Sequence, residues 1–365
     1  MGFACGIVGL PNVGKSTLFN AITAAGAEVA NYPFCTIDPN VGIVPVPDNR
    51  LDRLTRIFRP AKTISTTLEF IDIAGLVRGA HKGEGLGNQF LAHIRNVDAI
   101  LHIVRCFDDP NIIHVDGTIN PKRDIEIVET ELILKDLDTL DHRIGEPEKR
   151  LKSGEKKAKD ELPLYAALRT HLATGRLARY HPTHTEEEHY LFRDLHLLSN
   201  KPVMYICNVH EKHFSSEPDY IGQVREVAAR ESAKVVLISA EVEAEVAELP
   251  SEERGPFLQE LGLQESGLNQ VIREGYDLLQ LVTFFTVNPK ELHAWTVRKG
   301  TTAPTAAGVV HTDFEKGFIR AEVMKCSDLD RLGSEAALRE HGLLHVHGRD
   351  YIVEDGDVMF VRFNV

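Results

Sequence analysis

The chain has 365 residues, of which 43% are hydrophobic and 26% charged, and its formal net charge is −13. This length exceeds what one hydrophobic core usually supports, so we expect two or three domains. The composition excludes a long low-complexity tract, and no apolar run approaches the roughly 20 residues of a membrane helix. The negative net charge argues against DNA binding and against indiscriminate binding of nucleic acid. Any contact with RNA should therefore be confined to a local surface.

The cysteine pattern indicates the cellular compartment in which the protein works. The five cysteines are scattered without CxxC spacing, and a basic leader with a cleavage site is missing. These features are typical of a reduced, metal-free, cytoplasmic protein with no membrane partner.

The amino-terminal half alternates β-branched runs with helical patterns, and the alternation resumes after residue 202. Strand-like runs are Phe3–Leu10, Gly42–Val46, Thr67–Ile71, Ala99–Arg105, Val203–Asn208 and Val235–Ser239. Such alternation predicts an α/β domain with a parallel-type sheet, formed by residues 1–108 and 202–280.

Residues 109–201 interrupt this pattern and favour helices. The apolar residues with the seam spacing of a coiled coil are Ile133, Leu137, Leu140, Ile144 and Leu151. A charged stretch with Pro147 and Gly154 indicates the tip of a hairpin, so we expect an inserted, protruding helical arm. Between residues 142 and 181 there are 10 Lys/Arg and 5 Asp/Glu. This basic stretch either binds RNA or only solvates the tip.

The remaining segment, 281–365, has β-like runs around one helical stretch near Asp328–Glu340. About eighty residues of this kind predict a small α+β module.

A phosphate-binding motif lies near the amino terminus. GLPNVGKST, from Gly9 to Thr17, fits G-x-x-x-x-G-K-[ST] between a predicted strand and a predicted helix. We expect Lys15 to contact the β- and γ-phosphates and Ser16 to provide a hydroxyl to Mg²⁺. The other residues expected to enclose the phosphates are Asn12, Val13, Gly14 and Thr17.

Two further segments are typical of a nucleotide-dependent switch. Asp72, the first residue of a DxxG motif, is expected to reach the Mg²⁺ shell, and the Gly75 N–H to meet the γ-phosphate. Thr36, in the upstream loop, is expected to complete the Mg²⁺ shell.

The base-recognition segment favours ATP over GTP. Guanine-specific nucleotidases carry N-K-x-D after this strand, whereas this chain has Asn208-Val-His-Glu211. The lysine is absent and the acid is one methylene longer, so the fork that recognises guanine is no longer supported. We expect Asn208, Val209 and Ser239 to lie around the base of ATP, with GTP tolerated.

Together, GLPNVGKST, YPFCT, DIAGLVRGA and NVHE resemble the YchF family, the Obg-like ATPases among the P-loop nucleotidases. The resemblance extends over essentially the whole chain and makes the segment 281–365 similar to a TGS (ubiquitin-like) domain. It implies an ATPase that associates with the ribosome, on the large subunit or the 70S-type particle, through RNA or protein.

The resemblance also bears on catalysis. Leu76 occupies the position where many switch GTPases have a water-orienting glutamine, so intrinsic hydrolysis should be slow. The family resemblance makes His114 the candidate substitute, with His81 as the local alternative. Related nucleotidases hold K⁺ with an asparagine at the position of Asn12. Cys35, next to Thr36, is either a redox-sensitive thiol or an ordinary small side chain.

The sequence therefore predicts a slow, Mg²⁺-dependent ATP hydrolase linked to translation. Two alternatives stay open: a nucleotide-gated binding protein with negligible turnover, and a true GTPase.

Overall fold

The computed structural model describes residues 2–27, 40–73, 79, 91, 93–152, 158–214 and 216–364. It divides into two compact units. One comprises Met1–Ile43 and Glu69–Val271, and the other comprises Val44–Leu68 and Ile272–Val365.

Strands alternate with helices through most of the chain. The strands are β1 (Ala4–Val8), β2 (Val41–Pro45), β3 (Lys62–Ile64), β4 (Thr67–Asp72), β5 (Ala99–Arg105), β6 (Val203–Asn208), β7 (Lys234–Ile238), β8 (Leu281–Val287), β9 (Glu291–Arg298), β10 (Phe318–Lys325), β11 (His345–His347) and β12 (Asp357–Phe363). The helices are α1 (Lys15–Ala27), α2 (Asn49–Phe58), α3 (Pro121–Lys152), α4 (Ala158–Ala173), α5 (Glu186–Asp194), α6 (Asp219–Glu231), α7 (Ala240–Glu248), α8 (Ser251–Glu260), α9 (Gly267–Leu278), α10 (Ala303–Val310), α11 (Thr312–Lys316), α12 (Cys326–Leu332) and α13 (Glu335–Glu340).

The first sheet has the order β2-β4-β1-β5-β6-β7. The pairs β4–β1, β1–β5, β5–β6 and β6–β7 are all parallel. Every residue of β1, β5 and β6 is buried, as expected for strands covered on both faces. The predicted α/β domain with a parallel-type sheet is confirmed, and the carboxyl ends of its strands meet along one edge.

Two long helices occupy much of the predicted insertion. Arg169 on α4 pairs with Asp141 on α3 at 2.5 Å. These residues lie at equal chain distances from the two facing helix ends, Lys152 and Ala158, so the helices run antiparallel. Their apolar residues form one core cluster: Ile133, Leu140, Leu164, Tyr165, Leu168 and Leu172, with Leu137 and Ile144 packed against it.

A buried polar cluster joins α3 to the first sheet. The Tyr205 hydroxyl on β6 lies 2.7 Å from Glu231 Oε2 and 3.2 Å from Glu129 Oε1. Arg179 donates to Glu231 at 2.7 Å. Burial, followed by the hydrogen bond and charge of Glu231, raises the pKa of Glu129, although Arg179 opposes the shift. The cluster therefore favours the protonated form of Glu129.

The second sheet has the order β11-β10-β12-β8-β9-β3 and mixed strand directions. Successive residues of β8 face opposite cores: Phe284 packs in the cluster that contains α10, and Phe285 packs in the cluster that contains α2 and α12. The sheet is thus covered by helices on both faces.

The domain boundary differs from the one expected from the sequence. The sequence predicts that residues 44–68 belong with the rest of 1–108 to the nucleotide-binding domain, but they group with the carboxyl-terminal unit. The reason is that β3 pairs in parallel with β9, and Leu54 of α2 is fully buried in the core that contains Phe285. The second unit also begins at Ile272 rather than at residue 281, and 109–201 groups with the first unit.

Within the described residues, no helix combines the length and the apolar character that crossing a bilayer requires.

The raised pKa of Glu129 predicts how stability depends on pH. A carboxyl whose pKa is raised by folding contributes most below its ordinary range, near pH 4.3, and loses that contribution as pH rises. We expect Glu129→Gln, which cannot ionise, to gain stability over the native protein by about 1–2 kcal/mol between about pH 5 and pH 8. Chemical denaturation across this range measures the difference. Glu126→Gln, an exposed position on the same helix, is the control and should follow the native curve.

Candidate functional site

The loop between β1 and α1 carries the predicted phosphate-binding motif. A Cβ on Gly9 would lie 2.5 Å from the carbonyl oxygen of Ile103. Gly14 has a φ of +99°, and a Cβ there would collide with Asn208 Nδ2. Asn12 also has a positive φ, +61°, which asparagine tolerates better than most residues. The path of the loop therefore depends on glycine at two positions.

Lys15 lies at the start of α1, where helix N–H groups are free to bind an anion. The side chain is buried, and its Nζ donates to the carbonyl oxygen of Leu10 at 2.7 Å. Burial lowers the pKa of Lys15 to about 8, while the charge of Asp72 acts in the opposite direction. Ser16 and Thr17 follow in the first turn and are exposed.

Asp72 ends β4, in register with Ile7 of β1. Its Oδ1 is buried and has no hydrogen-bond partner among the described residues. Burial raises the pKa of Asp72, and the charge of Lys15 opposes that shift. A buried carboxylate oxygen without a donor is uncommon in proteins, and this one fits a ligand for a hard cation.

Asn208 at the end of β6 connects two neighbouring segments. Its Nδ2 donates to the carbonyl oxygen of Val13 at 2.9 Å, and its Oδ1 accepts from the N–H of Ala240 at 3.0 Å. Both ends of the amide are therefore engaged with the protein. The sequence predicts that Asn208 lies beside the nucleotide base. The hydrogen bonds show that its amide connects the loop between β1 and α1 to the start of α7.

The other two residues expected around the base also have structural partners. The N–H of Val209 donates to Ile238 O at 2.8 Å, and the side chain is buried. Ser239 caps α7 by accepting from the N–H of Val242 at 3.4 Å. Both residues lie on the wall of a cavity beside the phosphate-binding loop.

This cavity has a volume of about 820 Å³, large enough for a nucleoside. Its walls come from the phosphate-binding loop, from the loop that follows β5, from the segment 208–212 at the end of β6, and from Ser239 and α7. The wall residues discussed below are Asn12, Phe107, Asp109, Ile112 and Asn208. Glu211, which stands where the guanine-recognising acid would be, does not line the cavity.

His114 is buried and faces the protein interior. Its Nε2 lies 2.9 Å from Asp124 Oδ2, and its Nδ1 accepts from the N–H of Asp116 at 3.1 Å. The proton is therefore on Nε2, which donates to the carboxylate. In this conformation neither ring nitrogen is available to a water molecule, so the catalytic assignment requires the side chain to reorient and stays a prediction.

Sequence reasoning missed Arg105, at the end of β5. The residue is 1% exposed, and its guanidinium donates to main-chain carbonyl groups of the loop that forms one cavity wall. The sequence shows only a charged residue at the end of an apolar strand. An arginine that points into solvent at a strand end would give the same pattern, so the sequence does not predict that Arg105 is buried.

Several predicted residues lie outside the described residues. They are Thr36, Gly75, Cys35, Leu76 and His81.

Two family models match the chain. The first is described as a 50S ribosome-binding GTPase and matches residues 4–139. The second is the carboxyl-terminal family of the YchF GTPases, described as a protein of unknown function, and matches residues 281–364.

Curated relatives match over their full length. The "Ribosome-binding ATPase YchF" of Escherichia coli O157:H7 is 55% identical over 365 residues, covering 100% of each chain. The protein of the same name from Bacillus subtilis is 52% identical, with the same coverage. Among solved structures, the YchF GTPase of Schizosaccharomyces pombe superposes with a TM-score of 0.89 at 37% identity, covering 99% of this chain and 98% of that one.

The hydrogen bonds of Asn208 predict the effect of replacing it. Asn208→Ala leaves the Val13 carbonyl and the Ala240 N–H unpaired, and each buried unpaired group costs roughly 1–3 kcal/mol. Asn208→Asp keeps the acceptor for Ala240 but places a carboxylate oxygen against the Val13 carbonyl. We expect both variants to lower the free energy of unfolding, as measured by urea denaturation.

Asn20→Ala, an exposed position on α1, is the matched control. If Asn208→Ala unfolds at the same urea concentration as this control, the two hydrogen bonds contribute nothing to stability.

Proposed function

Because this chain belongs to the YchF family, we propose that it binds and slowly hydrolyses ATP in a switch-like cycle on the ribosome. The observation that carries the proposal is the placement of a cation and a carboxylate close enough to influence each other's pKa at the carboxyl end of the sheet. Lys15 is buried at the start of the helix after the phosphate-binding loop, and Asp72, which ends β4, has a buried Oδ1 without a partner among the described residues. The two bacterial relatives named above are described as ribosome-binding ATPases.

The phosphates would lie against the N–H groups of the loop from Asn12 to Thr17, with Lys15 at the β- and γ-phosphates. Mg²⁺ would be held by Ser16 and Asp72, and by Thr36 from the switch loop. Asp72 Oδ1, which has no partner within the described ranges, and the Ser16 hydroxyl fit the oxygen ligands that this ion prefers; Ser16 itself is exposed. When bound, Mg²⁺ neutralises charge on the β- and γ-phosphates. The chain's own part is to hold these groups in position.

The cavity supports a preference for ATP. Glu211, which stands where guanine-specific nucleotidases have their recognising acid, does not line it, so this residue does not supply the acceptor for the two donors of guanine. Asn208, Val209 and Ser239 form the adjoining wall. We assign them to the base side of the site, with Asn208 acting through Val13 and Ala240.

Catalysis is assigned to Lys15 and Gly75, which would stabilise charge on the γ-phosphate, and to His114 as the group that orients water. His114 must first leave Asp124, because both ring nitrogens are engaged in this structure. That observation also favours a second candidate function, a nucleotide-gated binding protein with negligible turnover. His81, in the switch itself, is the alternative catalytic residue.

A contact supports transmission from the switch to the helical arm. Gly79 lies four residues after Gly75, and its N–H donates to Glu131 Oε1 on α3 at 2.7 Å. A rearrangement of the switch after loss of the γ-phosphate would break or shift this bond. α3 continues into the antiparallel pair, so the arm would respond to the nucleotide.

The arm and the carboxyl-terminal unit are proposed as the ribosome-facing parts. We assign 109–201 to an inserted coiled-coil domain and 281–365 to a TGS domain, with residues 44–68 packed on the latter. The basic stretch at the arm tip is proposed to contact RNA of the large subunit or of the 70S-type particle. K⁺ is a further proposed ligand, through the amide oxygen of Asn12.

Replacing Lys15 tests the nucleotide site directly. We expect Lys15→Ala to weaken binding of Mg²⁺–ATP by at least about 100-fold, because the removed charge lies against the β- and γ-phosphates. Isothermal titration measures the affinity. The control is Lys62→Ala, an exposed lysine of the other unit, which should bind like the native protein. Native affinity in Lys15→Ala would disprove the assignment.

Competition between ATP and GTP in one titration tests the base preference. We expect ATP to bind about tenfold more tightly than GTP, the effect of roughly one hydrogen bond. Equal affinities would favour the GTPase.

Multiple-turnover kinetics separate the remaining two candidates. Turnover that ribosomes stimulate supports the ATPase, and less than one equivalent of product per chain supports the nucleotide-gated binding protein.

Charge reversal at the arm tip tests the RNA contact. The basic residues are Lys149, Arg150, Lys152, Lys156, Lys157 and Lys159, whose side chains lie outside the described residues. We expect Lys152→Glu with Lys156→Glu and Lys159→Glu to reduce co-sedimentation with ribosomes and to flatten its salt dependence. Unchanged sedimentation would instead indicate the TGS domain as the contact.

A further inference from the structure

Arg105 is a fully buried cation without a carboxylate partner in the described part of the chain. Its Nε donates to Phe107 O at 3.1 Å, Nη1 to Ile112 O at 3.0 Å, and Nη2 to Asp109 O at 3.3 Å. Its Cζ lies 4.6 Å from the centroid of the Phe107 ring. A buried charge is tolerated only when it is hydrogen-bonded, and here all three nitrogen atoms of the guanidinium donate to one short loop.

The three acceptors belong to the loop that walls the cavity. Phe107, Asp109 and Ile112 all line the 820 Å³ cavity that we assign to the nucleotide. Because their carbonyl groups turn back towards Arg105, the guanidinium lies behind this wall and holds its shape. Without Arg105, three carbonyl groups would need new donors, and the wall would lose its common anchor.

The same loop reaches the phosphate-binding motif. The next carbonyl group, that of Ile113, accepts from Asn12 Nδ2 at 3.1 Å. Asn12 has a left-handed backbone conformation, so this hydrogen bond stabilises a strained position. His114 follows directly. Arg105 is thus placed to affect the cavity wall, the phosphate-binding loop and the approach of His114 together.

We propose that Arg105 is a positioning residue for nucleotide binding, acting through the main chain of residues 107–113 rather than by touching the nucleotide. This inference rests on the proposed function, since it assigns the cavity to ATP. It depends on the planar fork of the guanidinium, which spans three separate carbonyl groups; a lysine ammonium keeps the charge but is a compact donor that cannot span them.

The test compares Arg105→Met and Arg105→Lys with the native chain by titration with Mg²⁺–ATP and by steady-state kinetics. We expect Arg105→Met to raise the Kd and KM for ATP about tenfold, with a smaller effect on kcat, because the wall shapes binding. Arg105→Lys should restore less than half of the lost ATP affinity, measured on a logarithmic scale of Kd, because the charge alone does not restore the three hydrogen bonds.

Arg179→Met is the matched control, because the Arg179 side chain is also largely shielded, at 14% exposure, but pairs with Glu231 away from the cavity. It should lower the unfolding temperature and leave the Kd for ATP unchanged. If Arg105→Met binds ATP like the native protein, or if Arg179→Met weakens binding equally at an equal loss of stability, the proposal is wrong. A native chain that does not bind ATP at all refutes the proposed function instead, before any variant is compared.

Discussion

The amide of Asn208 connects the parts on which the candidate site depends. It bridges the carbonyl of Val13 and the N–H of Ala240, so the phosphate-binding loop and the first turn of α7 are held at a fixed separation. Close approach is possible only because Gly14 has no side chain. The cavity between these segments is therefore a consequence of one side chain at the carboxyl end of one strand, where parallel sheets usually place their ligands.

Two buried cations near this edge of the sheet are hydrogen-bonded to main-chain carbonyl groups rather than to carboxylates. Lys15 donates to a carbonyl of its own loop, and Arg105 donates to three carbonyls of the next loop. Asp72 alone among these three keeps an oxygen without a partner in the described residues. Such an arrangement leaves the site organised before any ligand binds, which reduces the entropy lost on binding.

The helical pair is tied to the sheet by polar contacts at its base. Glu129 meets Tyr205, and Glu131 accepts from Gly79. Both acids lie on α3, two residues apart, one beside the sheet and one beside the segment that follows the DxxG motif. Changes in either place would reach the arm through a single rigid helix, so communication would need no long chain of side-chain contacts.

Local sequence was sufficient for the parallel sheet and for the antiparallel helix pair, because each follows from a short repeat of apolar residues. Tertiary structure alone decided which unit contains residues 44–68, since β3 pairs with a strand more than 200 residues away. It also decided that His114 faces Asp124 and that Arg105 is buried. A one-dimensional pattern specifies the type of a side chain, whereas its partners are set by how distant strands and loops converge.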